Sequence, residues 1–180
     1  MTRMFAILRA INVGGHTVTM GRLKELFEAL GLQGVETFIA SGNVVFEGTM
    51  ESEESLRGRV EAHLCKSLGY EVDTFLRTGR ELAGLLKACP FEEAEIATAK
   101  ALNVAFLHAP LSRSAVAKLH ALEGEVDVFK PVGREVWWLC RVKQSDSKFS
   151  NAVFEKTLGV KATFRGINTL QRLVAKFPKA

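Results

Sequence analysis

The sequence predicts an α+β protein made of two tandem ferredoxin-like (β-α-β-β-α-β) modules, and three observations carry that prediction. Short apolar runs of strand length alternate with segments whose apolar residues recur at helical spacing. The first 77 residues give the order strand, helix, strand, strand, helix, strand, and the same order recurs after residue 102. Polar, glycine-bearing turns separate the paired strands. The modules are therefore placed at residues 1–77 and 103–180, with a helical connector over 78–102.

Residues 4–9 read as a buried strand. Thr19 can cap a helix in which Met20, Leu23, Leu26, Phe27 and Leu30 share one face before Gly31 stops it. Residues 35–40 and 43–47 are β-rich runs around Ser41-Gly42, the composition of a tight hairpin turn. Ser52, followed by Glu53 and Glu54, starts a second helix, because the hydroxyl caps open amides and the carboxylates meet the positive end of the dipole. Leu56, Val60, Leu64 and Leu68 supply its buried stripe, and residues 70–77 form the closing strand.

Thr78 and Glu81 form a capping box for a connector helix through Leu82, Leu85 and Leu86 that Pro90 ends, and the acidic residues 92–95 follow. The second module reads as strand 103–108, helix 112–122, a hairpin of 125–130 and 135–142 around 131–133, helix 150–158, strand 160–165 and terminal helix 168–177. Trp137 and Trp138, neighbours on a strand, face opposite sides of their sheet, which leaves room for one in the core and one exposed, and packing of the two sheets or ordinary core filling is the favoured reading.

The composition, 47% hydrophobic and 24% charged over 180 residues, is that of a globular protein with a real core. No apolar run approaches the roughly 20 residues of a membrane-spanning helix, and the start lacks the h-region of a secretory signal. Cys65, Cys89 and Cys140 are odd in number and well separated, which points to reduced thiols and a cytoplasmic location. The net charge of +4, from 24 basic and 20 acidic residues, is a mild excess that a solvated surface explains.

Strand direction selects the candidate site. In this topology the loop after the first strand and the tip of the first hairpin emerge at one end, which gathers Arg9, Asn12, Gly14, Gly15, His16, Ser41 and Asn43. Glycine amides beside a helix start suit an oxyanion or phosphate, and Arg9, a charge ending an apolar strand, needs a partner or water. A secondary group, Ser147, Lys148, Arg165 and Asn168, collects in the second module. His16, His63, His108 and His120 show no metal-ligand spacing, and neither a nucleotide fingerprint nor a nucleophile motif occurs, so no metal, cofactor or catalytic residue is assigned.

LRAINVGG, MGRLKELFEALG, SGNVVFEG, GREVWW and SKFSNAVFEKTLGVKAT together resemble the bacterial domain-of-unknown-function family 1697, over nearly the whole chain. The resemblance implies a tandem ferredoxin-like α+β structure and carries over no activity, cofactor or catalytic residue. Its tail commonly reads TTRNWNT. Here TFRGINT keeps Arg165, Asn168 and Thr169, while Gly166 and Ile167 stand in place of asparagine and tryptophan.

The resulting expectation is a protein, possessing or lacking catalysis, that binds a small anionic or nucleotide-like ligand through Arg9, Asn12, Gly14, Gly15, Ser41 and Asn43. The alternative is a nucleic-acid or protein interaction module using an exposed sheet face, with Phe5, Phe46 and Phe106 on comparable strands.

Overall fold

The computed structural model describes residues 2–178; Met1 and residues 179 and 180, the extreme ends of the two expected modules, lie outside them. The chain divides into two compact units, Met1–Leu85 with Arg172–Ala180, and Leu86–Gln171. Each contains one four-stranded antiparallel sheet, and seven α-helices lie among the described residues.

In the first unit the elements are β1 (Arg3–Leu8), α1 (Met20–Glu28), β2 (Glu36–Phe38), β3 (Asn43–Glu47), α2 (Glu53–Leu68) and β4 (Thr74–Thr78), followed by α3 (Gly79–Lys87). The sheet order is β2-β3-β1-β4. Both helix starts are made locally: Thr19 Oγ1 accepts from the Arg22 amide at 3.1 Å and Ser52 Oγ from the Ser55 amide at 3.2 Å. Gly69, at φ +82°, ends α2 in the left-handed conformation that glycine adopts without steric cost.

Leu23, Phe27, Val60 and Leu64 of α1 and α2 pack on Ala6, Leu8, Val44, Phe46 and Leu76 of the sheet. The other face, with Phe5, Ile7, Val45, Phe75, Asn43 and Arg77, is also buried. Phe38, at the end of β2, meets Phe177 edge-on with ring centroids 6.3 Å apart, and the cations of Arg172 and Lys176 stand 5.5 and 5.8 Å from its ring.

The second unit carries α4 (Glu93–Ile96), β5 (Ala101–Phe106), α5 (Arg113–His120), β6 (Asp127–Val132), β7 (Glu135–Cys140), α6 (Asn151–Leu158), β8 (Thr163–Gly166) and the start of α7 (Ile167–Lys176). Its order, β6-β7-β5-β8, is the first unit's order repeated. Phe149 is the centre of its core, with ring centroids 4.7 Å from Trp138 and 4.6 Å from Phe129.

Two sequence expectations change. The first hairpin turn is not a tight two-residue turn: β2 stops at Phe38 because Ile39 takes φ +52°, outside the β region, and residues 39–42 make the connection. Tyr70 belongs to the turn before β4, which starts at Thr74. Trp137 and Trp138 lie on opposite faces and both are buried, at 0% and 1% exposure, as the core-filling reading has it.

Candidate functional site

Because β1 and β4 are antiparallel neighbours, as are β2 and β3, three connections meet at one end of the first unit: residues 9–19, 39–42 and 69–73. Side chains and backbone lash them together. The Leu8 amide donates to the Gly42 carbonyl at 2.8 Å and the Arg9 amide to the Asp73 carbonyl at 2.9 Å. The Arg9 guanidinium lies 3.4 Å from the Asp73 carboxylate, with 27% of the arginine side chain exposed.

Asn12 links the first loop to the second. Its amide nitrogen donates to the Ala40 carbonyl at 3.0 Å, while its oxygen accepts from the Val18 amide. Gly42 closes the approach: a Cβ there would lie 3.1 Å from the Ile11 Cβ and 3.2 Å from the Leu8 Cβ, and its φ is +82°. Asn43 is buried and donates to the Phe38 carbonyl and to Ser41 Oγ, both at 3.0 Å. Both asparagines therefore shape the loops, and Ser41 stays exposed at the tip.

His16, exposed, stacks on Tyr70 with ring centroids 3.8 Å apart and an interplanar angle of 23°. Gly14 and Gly15, at φ +61° and +87°, are exposed, and nothing lies within 4 Å of where a Cβ would stand. Their backbone is open to an incoming group. The first unit thus brings all the primary candidate residues to one end, while Asp73 and Tyr70 join them unforeseen.

The non-glycine residues with positive φ among the described residues are Ala10, Asn12 and Ile39, all in these loops. Left-handed geometry costs about 1–2 kcal/mol for an ordinary L-residue, and it is uncommon above all for a β-branched one. The corresponding connections of the second unit are shorter: residues 107–112 follow β5, and only Gly133 and Arg134 separate β6 from β7. Elaboration and strain are concentrated at the same end.

In the second unit, Asp127 is buried at the start of β6, where its oxygens accept from Trp138 Nε1 and Ser147 Oγ, each at 2.7 Å. Ser147 Oγ in turn accepts from the Phe149 amide at 2.9 Å. Asp127, Ser147 and the exposed Lys148 line a cavity of about 360 Å³ with Leu122 and Val126. Arg165 is buried, donating to Thr163 Oγ1 and the Phe164 carbonyl at 2.9 Å each, and desolvation pulls its pKa down to about 10. Asn168 is exposed in the first turn of α7 rather than capping it.

The stacking platform of the alternative expectation is closed. Phe5, Phe46, Phe106, Trp137 and Trp138 are each no more than 1% exposed, so no base can reach them in this fold.

No curated protein matches the chain. Among solved structures it is similar to the conserved bacterial protein SP0830 from Streptococcus pneumoniae, with 24% identity, a TM-score of 0.74 and 98% of each chain covered, a likeness of fold. The family model described as protein of unknown function (DUF1697) matches residues 1–137, and the chain belongs to that family.

Proposed function

We propose that the end of the first unit formed by residues 9–19, 39–42 and 69–73 binds a small anionic ligand. The observation that carries this reading is the gathering of Ala10, Asn12 and Ile39, each with positive φ, in the two loops that also hold Arg9, Gly14, Gly15 and Ser41. Asparagine tolerates this geometry, but a loop needed only to reverse the chain would place glycine rather than alanine or isoleucine at positions 10 and 39, whereas strain held by surrounding contacts is a mark of sites whose shape matters. Arg9 supplies charge, Gly14 and Gly15 supply approachable amides, and Ser41 supplies a hydroxyl at the rim. Asn12 and Asn43 hold the loops in place.

We read each unit as ferredoxin-like, which its β-α-β-β-α-β order and the strand order β2-β3-β1-β4 support. No described helix is long and apolar enough to cross a membrane. Cys65, Cys89 and Cys140 are free, which supports a reducing, cytoplasmic setting.

The test is a titration of the ¹⁵N-labelled protein with inorganic phosphate and pyrophosphate. Saturable amide shifts confined to Gly14, Gly15 and their neighbours, together with a rise in melting temperature that grows with ligand concentration, are expected. Shifts scattered over surface lysines without saturation would overturn the reading.

A further inference from the structure

His16 and Tyr70 occupy facing positions that no part of the anion-binding argument uses. The tyrosine ring packs against the core of the first unit, and its hydroxyl is buried without a hydrogen-bond partner among the described residues. Such a donor carries an uncompensated desolvation penalty, which a polar atom of a ligand or a water would relieve. Burial also pushes the phenol above its ordinary pKa, so at neutral pH it is a neutral donor.

The group now lying over the tyrosine ring is an exposed imidazole at 3.8 Å, near parallel to it. That imidazole follows Gly14 and Gly15, around which the space is open. A flat ring is therefore already accommodated on Tyr70, supplied by an exposed residue that is not part of the core. Tyr70 belongs to the same turn as Asp73, the partner of Arg9, so the stack and the charged group stand at one end of the unit.

We propose that Tyr70 is a stacking platform for the aromatic ring of an anionic ligand of the nucleoside monophosphate type, with His16 holding the ring's place in the unliganded protein. This deepens the anion-binding reading and rests on it for the phosphate. On binding, His16 swings away, the base stacks on Tyr70, and the phosphate meets Arg9 and the Gly14–Gly15 backbone. Stacking on a tyrosine tolerates different bases, because every base presents a π-face.

Tyr70 is the single tyrosine of the chain, so incorporation of 3-fluorotyrosine gives one ¹⁹F resonance that reports this ring alone. The labelled protein is titrated in parallel with adenosine monophosphate, ribose 5-phosphate, inorganic phosphate and adenosine. The expected result is that adenosine monophosphate moves the ¹⁹F line and binds at least tenfold more tightly than ribose 5-phosphate. Tyr70→Leu should reduce its affinity to that of ribose 5-phosphate, and His16→Ala, which leaves the core untouched, should raise it severalfold.

Equal affinity for adenosine monophosphate and ribose 5-phosphate, with an unmoved ¹⁹F line, overturns the platform while the anion site stands. Adenosine moving the line when neither phosphate binds supports the platform and sinks the anion site. Binding of none of the four probes overturns both.

Discussion

Arg9 is tied to Asp73 twice: its amide donates to the Asp73 carbonyl at 2.9 Å, and its guanidinium stands 3.4 Å from the Asp73 carboxylate. The backbone bond fixes where the first loop leaves the sheet. The ion pair, with 27% and 16% of the two side chains exposed, keeps the cation aligned while leaving it within reach of solvent. A carboxylate in that position orients the guanidinium and competes with any anion for it.

The two partners should therefore behave oppositely. Arg9→Ala should cost no more than about 1 kcal/mol of stability, the range of a partly exposed ion pair, and should weaken phosphate binding about tenfold or more, the worth of a charge-assisted hydrogen bond. Asp73→Asn, which keeps the carbonyl bond, should strengthen phosphate binding severalfold. Calorimetric titration of both variants checks this, and weaker binding by Asp73→Asn would mean that the pair serves only the fold.

Strain at the hairpin tip gives a second contrast. Ile39 is 37% exposed at φ +52°, so Ile39→Gly gives up little burial and relieves a β-branched residue of left-handed geometry. A gain of about 0.5–1 kcal/mol is expected after the larger chain entropy of glycine is charged against it. Gly42→Ala adds a Cβ 3.1 Å from that of Ile11 while keeping φ +82°, and should lose about 1–3 kcal/mol. Urea midpoints of both variants give the signs, and if the site needs the strained loop, Ile39→Gly should also loosen phosphate binding.

What was legible in the sequence follows the range of the interaction. Helix starts at Thr19, Ser52, Ser112 and the Thr78–Glu81 box are made by groups three residues apart, and each stands where the pattern put it. The convergence of Arg9 and Ser41 followed from strand direction alone. The partner of Arg9 did not, because Asp73 is 64 residues away and a single acidic residue beside an apolar strand carries no local signal. Period-2 alternation separated Trp137 from Trp138 correctly but could not say that the second face is also closed to solvent. Pro131 marked a turn in the sequence, yet it sits within β6, an edge strand where a missing amide is tolerated.

Asp127 was missed for the same reason, and it yields a stability prediction. Its carboxylate accepts from the Trp138 indole and from Ser147, so it pins the loop before α6 to the start of β6. Asp127→Ala leaves both donors unanswered and should cost about 2–4 kcal/mol, whereas Ser147→Ala, which removes one donor to Asp127 and the acceptor of the Phe149 amide while the indole bond stays, should cost less, about 1–2 kcal/mol. Chemical denaturation gives the values. Near-equal losses would show that the indole bond contributes nothing.

Cys140 supplies a prediction in pH. Its thiol is fully buried, donating to the Val142 carbonyl at 3.2 Å; burial first, and then the nearby Asp127 charge, push its pKa above the usual thiol value. A raised pKa means that the folded protein holds this proton more tightly than the unfolded chain does. The associated stability is complete below the ordinary thiol range near 8.5–9 and is lost as pH rises through the folded value. Unfolding midpoints in urea should therefore fall as pH rises above the ordinary thiol range, with a shallower slope in Cys140→Ala, whose overall stability is lower by the cavity left behind. Thiol labelling at pH 8 gives the independent check: the exposed Cys65 should react at once and Cys140 only on unfolding, since a buried neutral thiol is neither accessible nor nucleophilic. Reaction of Cys140 at the rate of Cys65 in the native protein would show that the aromatic core around Trp138 opens without global unfolding.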